Sequence, residues 1–343
     1  MKRLALYFTA PFEVSVREEA LSPPAAGQVL VQTLVSAISA GTELLIYRGQ
    51  TPTDIPIDET IPALADKPGS LMKYGYATVG QVTTVGKDVD TQWEGKTVFS
   101  FHPHESHFLC SPAELMPVPS SLSPEEASLL PNMETSVNFV MDGQPLIGEQ
   151  IVIFGQGVVG LLTTALLAKL PLATLVTMDR YALRRRKSLA LGAQASLDPE
   201  ASDAVARLTS LLQMEQCCAG ADLTYELSGN TDALEKAIEI TGFDGRVVIG
   251  SWYGQKQVSL NLGGRFHRSR IRLISSQVST VAPKWAGRWT KYRRLQVAWQ
   301  MLQQLKPAHL ITHRFPLAQA SSAYALLDQR PEEAIQVVLT HEG

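Results

Sequence analysis

Cysteine is scarce in this sequence: three residues in 343, two of them adjacent at Cys217 and Cys218. That number and spacing fit neither a disulfide framework nor a Cys-x-x-Cys metal site. Net charge is small as well, −3 at neutral pH, so no global charge draws the chain to nucleic acid or to an anionic membrane. The one dense basic run, Arg184-Arg185-Arg186-Lys187, has no interleaved aromatics and reads as the solvated start of a helix. No uninterrupted apolar run reaches the roughly 18 residues of a membrane span. The opening MKRLALYFTAP has basic residues but only a brief apolar stretch before Pro11, so no signal peptide is expected. Internal repeats and low-complexity segments are also missing. The expectation is a cytoplasmic protein with no nucleic-acid or membrane partner.

What is present is ample core material, 45% hydrophobic and 18% charged residues, in a length that suggests roughly two domains. The most informative stretch is 149–197. Residues 151–154 are wholly apolar, as in a strand buried on both faces. Gly155, Gly157 and Gly160 follow with the spacing G-x-G-x-x-G, and 159–170 reads as a helix. In that order the first glycine permits a tight turn, the second lets backbone approach a diphosphate, and the third lets helix and strand pack closely. The diphosphate would lie against the backbone of Gly157, Val158 and Val159, where unpaired N–H groups and the helix dipole favour an anion. A second apolar strand, 174–178, ends in Asp179, nineteen residues after Gly160. There a carboxylate would take both hydroxyls of an adenosine ribose, which predicts NAD over NADP; Arg180 beside it would soften the discrimination.

Before this stretch the chain reads as β-rich, with strands over 4–8, 13–17, 28–37, 79–85, 97–101, 108–110 and 115–118. Four prolines make 50–70 an irregular loop. Ser123-Pro124-Glu125-Glu126 is a capping box that opens a helix running to Gly143, with a break near Pro131. After Asp179 the alternation continues. Helices are expected over 184–191, 201–215, 231–241, 291–305 and 318–327, and strands over 223–227, 246–249, 271–275, 310–313 and 334–340. Strand ends at Ser228 and at Gly250-Ser251 complete the expected cofactor contacts, and 268–276 is the expected exposed sheet edge.

The succession of SAGTELLIYRG (39–49), GYATVGQVTTVG (75–86), GKTVF (95–99), the glycine motif, ELSG (226–229), GFDGRVVIG (242–250) and HRFPLAQASSAYALL (313–327) resembles the medium-chain dehydrogenase/reductase superfamily. The likeness is to the zinc-type alcohol and sorbitol dehydrogenases, with the GTE and YGY stretches similar to the bacteriochlorophyllide dehydrogenase branch. It implies an α/β protein: a GroES-like β-rich catalytic domain over 1–145, completed by a C-terminal return over 282–343, around a doubly wound Rossmann domain over 146–281. It also implies an NAD(H)-dependent oxidoreductase that moves a hydride to or from a small alcohol, carbonyl or conjugated carbonyl, working as a homodimer.

The departures bear on the chemistry. Where zinc members of the family hold the metal, this chain has Ala40 and Tyr76, and only Glu134 matches a ligand. One carboxylate cannot make the three-ligand set of a catalytic zinc site, so no metal is expected. Thr42 matches the family's proton-relay hydroxyl, whereas Leu45 stands at the relay's outer position and Gln336 where many members carry a basic residue. His102 falls where the family places an aromatic lining the substrate pocket. With Tyr76, Thr42 and Glu134 it makes the expected catalytic set, in which a neutral donor would meet the charge that builds on oxygen. Tyr76 has a second reading, as a packed aromatic filling the space of the missing metal. His102, His104 and His107 are either loop histidines or a rival metal site. Joint loss of the metal ligands leaves one alternative function, a non-catalytic nucleotide-binding protein with a dehydrogenase fold.

Overall fold

The structure is a computed structural model that describes residues 1–52, 71–212 and 219–341. Most of the loop expected over 50–70, the end of the helix expected over 201–215, and the Cys217-Cys218 pair lie outside the described residues. The chain divides into two compact units, 1–131 with 299–343, and 132–298.

The first unit is β-rich, as the alternating and β-branched runs require. Its seven-stranded sheet runs in the order Ile311–Pro316, Gln336–Thr340, Val29–Ala37, Thr78–Val85, Thr97–Ser100, Met116–Pro117, with His107–Cys110 also paired to Val29–Ala37. Val338 lies opposite Ala37, so both chain ends build the one sheet. A hairpin, Lys2–Ala10 with Glu13–Ala20, packs Leu6 and Phe8 onto a core that includes Ile38, Ile46, Tyr324 and Leu339. Phe8 and Tyr47 meet the Tyr324 ring edge-on and stacked, at 5.3 and 5.5 Å. One α-helix of this unit is additional to the sequence reading. Ala40–Tyr47 is a two-turn helix, too short and too apolar to show a 3.6-residue period.

The expected capping box is formed. Glu126 N–H donates to Ser123 Oγ at 3.2 Å and Ser123 N–H to Glu126 Oε2 at 2.9 Å. The helix it opens covers only Pro124–Ala127, and a second helix, Leu130–Gly143, follows. The break falls at residues 128–129, and Pro131 lies in the first turn of the second helix, where its missing N–H leaves no intrahelical bond unmade.

The second unit is a six-stranded parallel sheet in the order Ala195–Leu197, Thr174–Met178, Gln150–Phe154, Ala221–Glu226, Thr241–Ile249, Arg272–Ser275. The chain enters at Gln150–Phe154, winds outward to one side, then returns to fill the other. The strand order therefore reverses between Gln150–Phe154 and Ala221–Glu226, and ligands bind α/β sheets beyond the carboxyl ends of strands at such a point. Arg272–Ser275 closes the sheet with a single neighbour, as an edge strand does.

The units divide the chain at 131/132 and 298/299, whereas the resemblance placed the boundaries at 145/146 and 281/282. Packing explains the shift. Phe139 and Val140 join Ile151, Ile153, Leu223 and Tyr225 in one core, and Arg294 is tied to Glu134. The Rossmann unit thus claims most of Leu130–Gly143 and the first half of Lys291–Leu305.

Candidate active site

The three motif glycines serve three different needs. Gly155 has φ +90°, and a Cβ there would sit 2.6 Å from Ser228 N. A Cβ on Gly160 would sit 2.1 Å from Gly155 O, so helix Val158–Leu167 lies hard against the turn. Gly157 caps that helix at its start in extended geometry, and a Cβ on it would meet no heavy atom within 4 Å. Nothing in the protein itself requires glycine there. The open space before unpaired helix N–H groups suits a diphosphate, and the residues present therefore fit a dinucleotide.

Asp179 is buried at the end of Thr174–Met178. Its Oδ2 accepts Gln156 N–H at 2.7 Å and its Oδ1 accepts Tyr181 N–H at 2.8 Å. Each oxygen keeps a further lone pair for a ribose hydroxyl. Arg180 lies over the Tyr181 ring at 5.2 Å, and its Nε is 3.9 Å from Glu200. Gln156, passed over in the sequence, locks the loop: Thr164 Oγ1 donates to its Oε1 at 2.9 Å and its Nε2 to Gly155 O at 3.0 Å.

Ser228, Gly250 and Ser251 gather at a second unforeseen residue, the buried Glu226. Its Oε1 accepts Ser228 N–H at 2.7 Å and Gly229 N–H at 3.2 Å, while Ser251 Oγ accepts Gly229 N–H at 2.8 Å. Tyr253 O–H donates to Glu226 Oε2 at 2.6 Å. Burial and that carboxylate raise the phenol far above its ordinary range, so it stays a donor. Gly250 has a packing reason to be glycine, since a Cβ would lie 2.3 Å from the Phe139 ring.

In the first unit, Ser39 precedes helix Ala40–Tyr47. Its Oγ is hydrogen-bonded to the Tyr76 hydroxyl, which lies 3.4 Å from Thr42 Oγ1. The Tyr76 ring is half-buried and meets Tyr74 edge-on at 5.9 Å. Both readings of Tyr76 thus have a contact: the ring packs and the hydroxyl joins two others.

His102 has other partners. Its Nε2 is 3.1 Å from Glu105 Oε2 and its ring stacks on Phe108 at 4.0 Å. Glu105 also takes Arg3 and Lys73, both at 2.7 Å. These contacts place His102 in an ionic cluster with Glu105, Arg3 and Lys73. The three histidines do not act as a group either. His104 lies in the loop between strands but is fully buried, with Nδ1 2.7 Å from Ser36 Oγ and Nε2 3.1 Å from Glu43 Oε2. His107 Nδ1 is 3.2 Å from Ser106 Oγ. Among the described residues no group of three or more His, Cys, Asp or Glu is placed to hold a metal ion.

Glu134 has a cationic partner that the sequence reading did not foresee. In the second unit its Oε1 accepts both Nε and Nη2 of Arg294, at 3.0 and 2.9 Å, with both side chains buried. A guanidinium so close opposes a second cation on that carboxylate. Ala40 offers no donor atom and Tyr76 a hydrogen-bonded phenol, so the residues at the zinc positions do not fit the metal. Leu45 is buried, and Gln336 Nε2 donates to Ile38 O at 2.9 Å and Val337 O at 2.7 Å. Arg294 left a readable sign in the sequence. It shares the buried face of its helix with Leu295, Ala298 and Leu302, and a charge on an apolar stripe calls for a partner.

Comparison with known proteins agrees with this fold. A family model described as zinc-binding dehydrogenase matches residues 158–294. The D-guloside 3-dehydrogenase of Escherichia coli (strain K12) is 24% identical, over 99% of this chain and 100% of that protein. The 2R,3R-butanediol dehydrogenase of Bacillus subtilis superposes with a TM-score of 0.79 at 17% identity, over 99% of this chain and 100% of that one. An alcohol dehydrogenase of E. coli CFT073 complexed with NADH gives 0.77 at 17% identity, over 99% of each chain.

Proposed function

The chain belongs to the medium-chain dehydrogenase/reductase superfamily, and from that premise we propose that it is an NAD(H)-dependent oxidoreductase in which hydroxyls take the place of zinc at the substrate oxygen. The observation that carries this reading is the Tyr76 hydroxyl, bonded to Ser39 and 3.4 Å from Thr42. The nicotinamide, when bound, supplies or accepts the hydride. Gly157, Val158 and Val159 would hold its diphosphate, and Asp179 its adenosine ribose. During reduction negative charge grows on the carbonyl oxygen. The Tyr76 phenol donates a hydrogen bond and then the proton to that oxygen, while Ser39 or Thr42 donates to the phenolic oxygen as it becomes anionic. Oxidation runs the same proton transfer backwards. Glu134 stays with Arg294 and takes no part, and His102 stays with Glu105.

The substrate is a small alcohol/carbonyl pair or a conjugated carbonyl. Secondary alcohols come first, because relatives bear the names of a guloside and a butanediol dehydrogenase. No helix among the described residues is long and apolar enough to cross a membrane, in keeping with a cytoplasmic enzyme. The edge strand Arg272–Ser275 is the surface through which a homodimer would join its sheets.

The test is NAD(H) turnover at 340 nm with butane-2,3-diol, methyl hexosides, L-threonine, enones and quinones. Turnover of one class is expected, with kcat about 100-fold lower in Tyr76→Phe, the usual cost of removing one such donor. Tight NADH binding with no turnover of any class would favour the non-catalytic alternative.

A further inference from the structure

Behind the hydroxyl cluster of the first unit lies a buried polar chain that the proposed chemistry does not use. Glu43 is wholly buried one turn into helix Ala40–Tyr47. Its Oε1 accepts the backbone N–H of Ser39 at 2.7 Å. Its Oε2 accepts Tyr324 O–H and lies 3.1 Å from His104 Nε2. His104 Nδ1 meets Ser36 Oγ at 2.7 Å, and Ser36 Oγ meets His341 Nε2 at 3.1 Å.

The direction of each bond is fixed from the ends inward. Burial, then the Glu43 carboxylate, raises the Tyr324 phenol well above its usual range, so Tyr324 is a donor. Glu43 Oε2 is therefore an acceptor, and His104 donates to it through Nε2–H. The other ring nitrogen then accepts from Ser36 O–H, which leaves Ser36 Oγ to accept from His341 Nε2–H. The fold also makes room for this histidine. Gly75 has φ +120°, and a Cβ there would sit 2.7 Å from the His104 ring.

Such a chain is costly to bury and confers rigidity where its members are satisfied, as Glu43, His104 and Ser36 are; His341 Nδ1 at its outer end has no hydrogen-bond partner among the described residues. Its inner end grips the amide of Ser39, whose own hydroxyl holds Tyr76. We propose that Glu43 and His104 are positioning residues, which fix Ser39 and thereby the Tyr76 hydroxyl in the geometry that proton transfer needs. This rests on the assignment of Tyr76 as the proton donor. A displacement well under 1 Å at such a group is enough to lower kcat, because proton transfer demands hydrogen-bond distance.

The experiment is a double-mutant cycle on kcat, using butane-2,3-diol or the fastest alcohol of the panel, with NADH affinity and thermal midpoint measured for every variant. Glu43→Gln keeps an oxygen for Ser39 N–H but turns the other arm into a donor facing Tyr324. It should lower kcat on the order of tenfold with NADH affinity unchanged. Combined with Tyr76→Phe it should cost nothing further, because the group it positions is gone. A merely structural role would lower kcat by the same factor in both backgrounds, and that additive result would overturn the proposal while leaving Tyr76 as the donor. A Tyr76→Phe variant with undiminished kcat would overturn both. Should Glu43→Gln not fold, Tyr324→Phe removes a single donor from Glu43 with little change of shape, and the same non-additivity decides.

Discussion

Arg294 and Glu134 form a closed ion pair inside the second unit. The guanidinium gives Nε and Nη2 to Glu134 Oε1, Nη1 to Asn138 Oδ1 at 2.5 Å and Thr280 O at 3.0 Å, and Nη2 also to Val278 O. Its five N–H donors are thereby matched, which leaves none for a substrate oxygen. The pair ties helix Leu130–Gly143 to the segment after the edge strand. Arg294→Met leaves a buried carboxylate without its cation and should cost about 3–5 kcal/mol in urea unfolding. Adding Glu134→Gln should recover part of that loss. A double variant no more stable than the single one would mean that the stranded charge is not what destabilises.

Gly157 and Gly160 should separate ligand binding from folding. Gly157→Ala meets no protein atom within 4 Å, so the thermal midpoint should hold while NADH affinity falls tenfold or more, roughly 1.4 kcal/mol. Gly160→Ala drives a Cβ to 2.1 Å from Gly155 O and should destabilise the apoprotein itself. Calorimetry should also find NADH tighter than NADPH, with the gap narrowed in Asp179→Ala. An unaffected affinity in Gly157→Ala would remove the diphosphate from this position.

Stability should fall as the solution is acidified below neutrality. Burial, with the nearby His104 and His107, lowers His341 from 6.5 to about 3. Between those values the unfolded chain binds a proton at this side chain that the folded chain does not, so unfolding free energy rises with pH across the window. The stabilising difference is complete above about pH 6.5 and is lost progressively toward pH 3. His341→Gln should flatten that slope in thermal melts at pH 4 to 7. An identical slope in the variant would assign the acid sensitivity to other groups.

The edge strand should be covered in solution. Light scattering is expected to give twice the chain mass at micromolar concentration, and charged substitutions at Leu273 and Ile274, half-exposed on the strand, should halve it. A monomer before any substitution would contradict the dimer.

Much of the second unit was legible because local order and long-range order agree there. The apolar strand, the glycine spacing, the helix and the acid at Asp179 are set within about thirty residues, and Gly155 and Gly160 are backbone requirements that sequence states outright. The first unit was legible as β-rich, yet its site was read only in part. Thr42 and Tyr76 do meet, but the closer partner of the phenol is Ser39, and helix Ala40–Tyr47 is too short for periodicity to announce it. His102 and Glu134 were taken at the roles their positions hold in relatives. Their partners, Glu105 and Arg294, are chosen by packing, and for Glu134 the partner is 160 residues away. Glu43 and His104 were hidden for the same reason, being 61 residues apart.

Zinc content tests the central claim most directly. Protein purified without a histidine tag should carry well under one zinc per chain by elemental analysis, and should keep both NADH binding and alcohol turnover after exhaustive treatment with a chelator. Ala40→Cys combined with Tyr76→His should not restore a site while Arg294 holds Glu134. Stoichiometric zinc in the unaltered protein, with turnover lost on chelation and regained on adding the metal, would contradict the account and return the substrate oxygen to a metal ion.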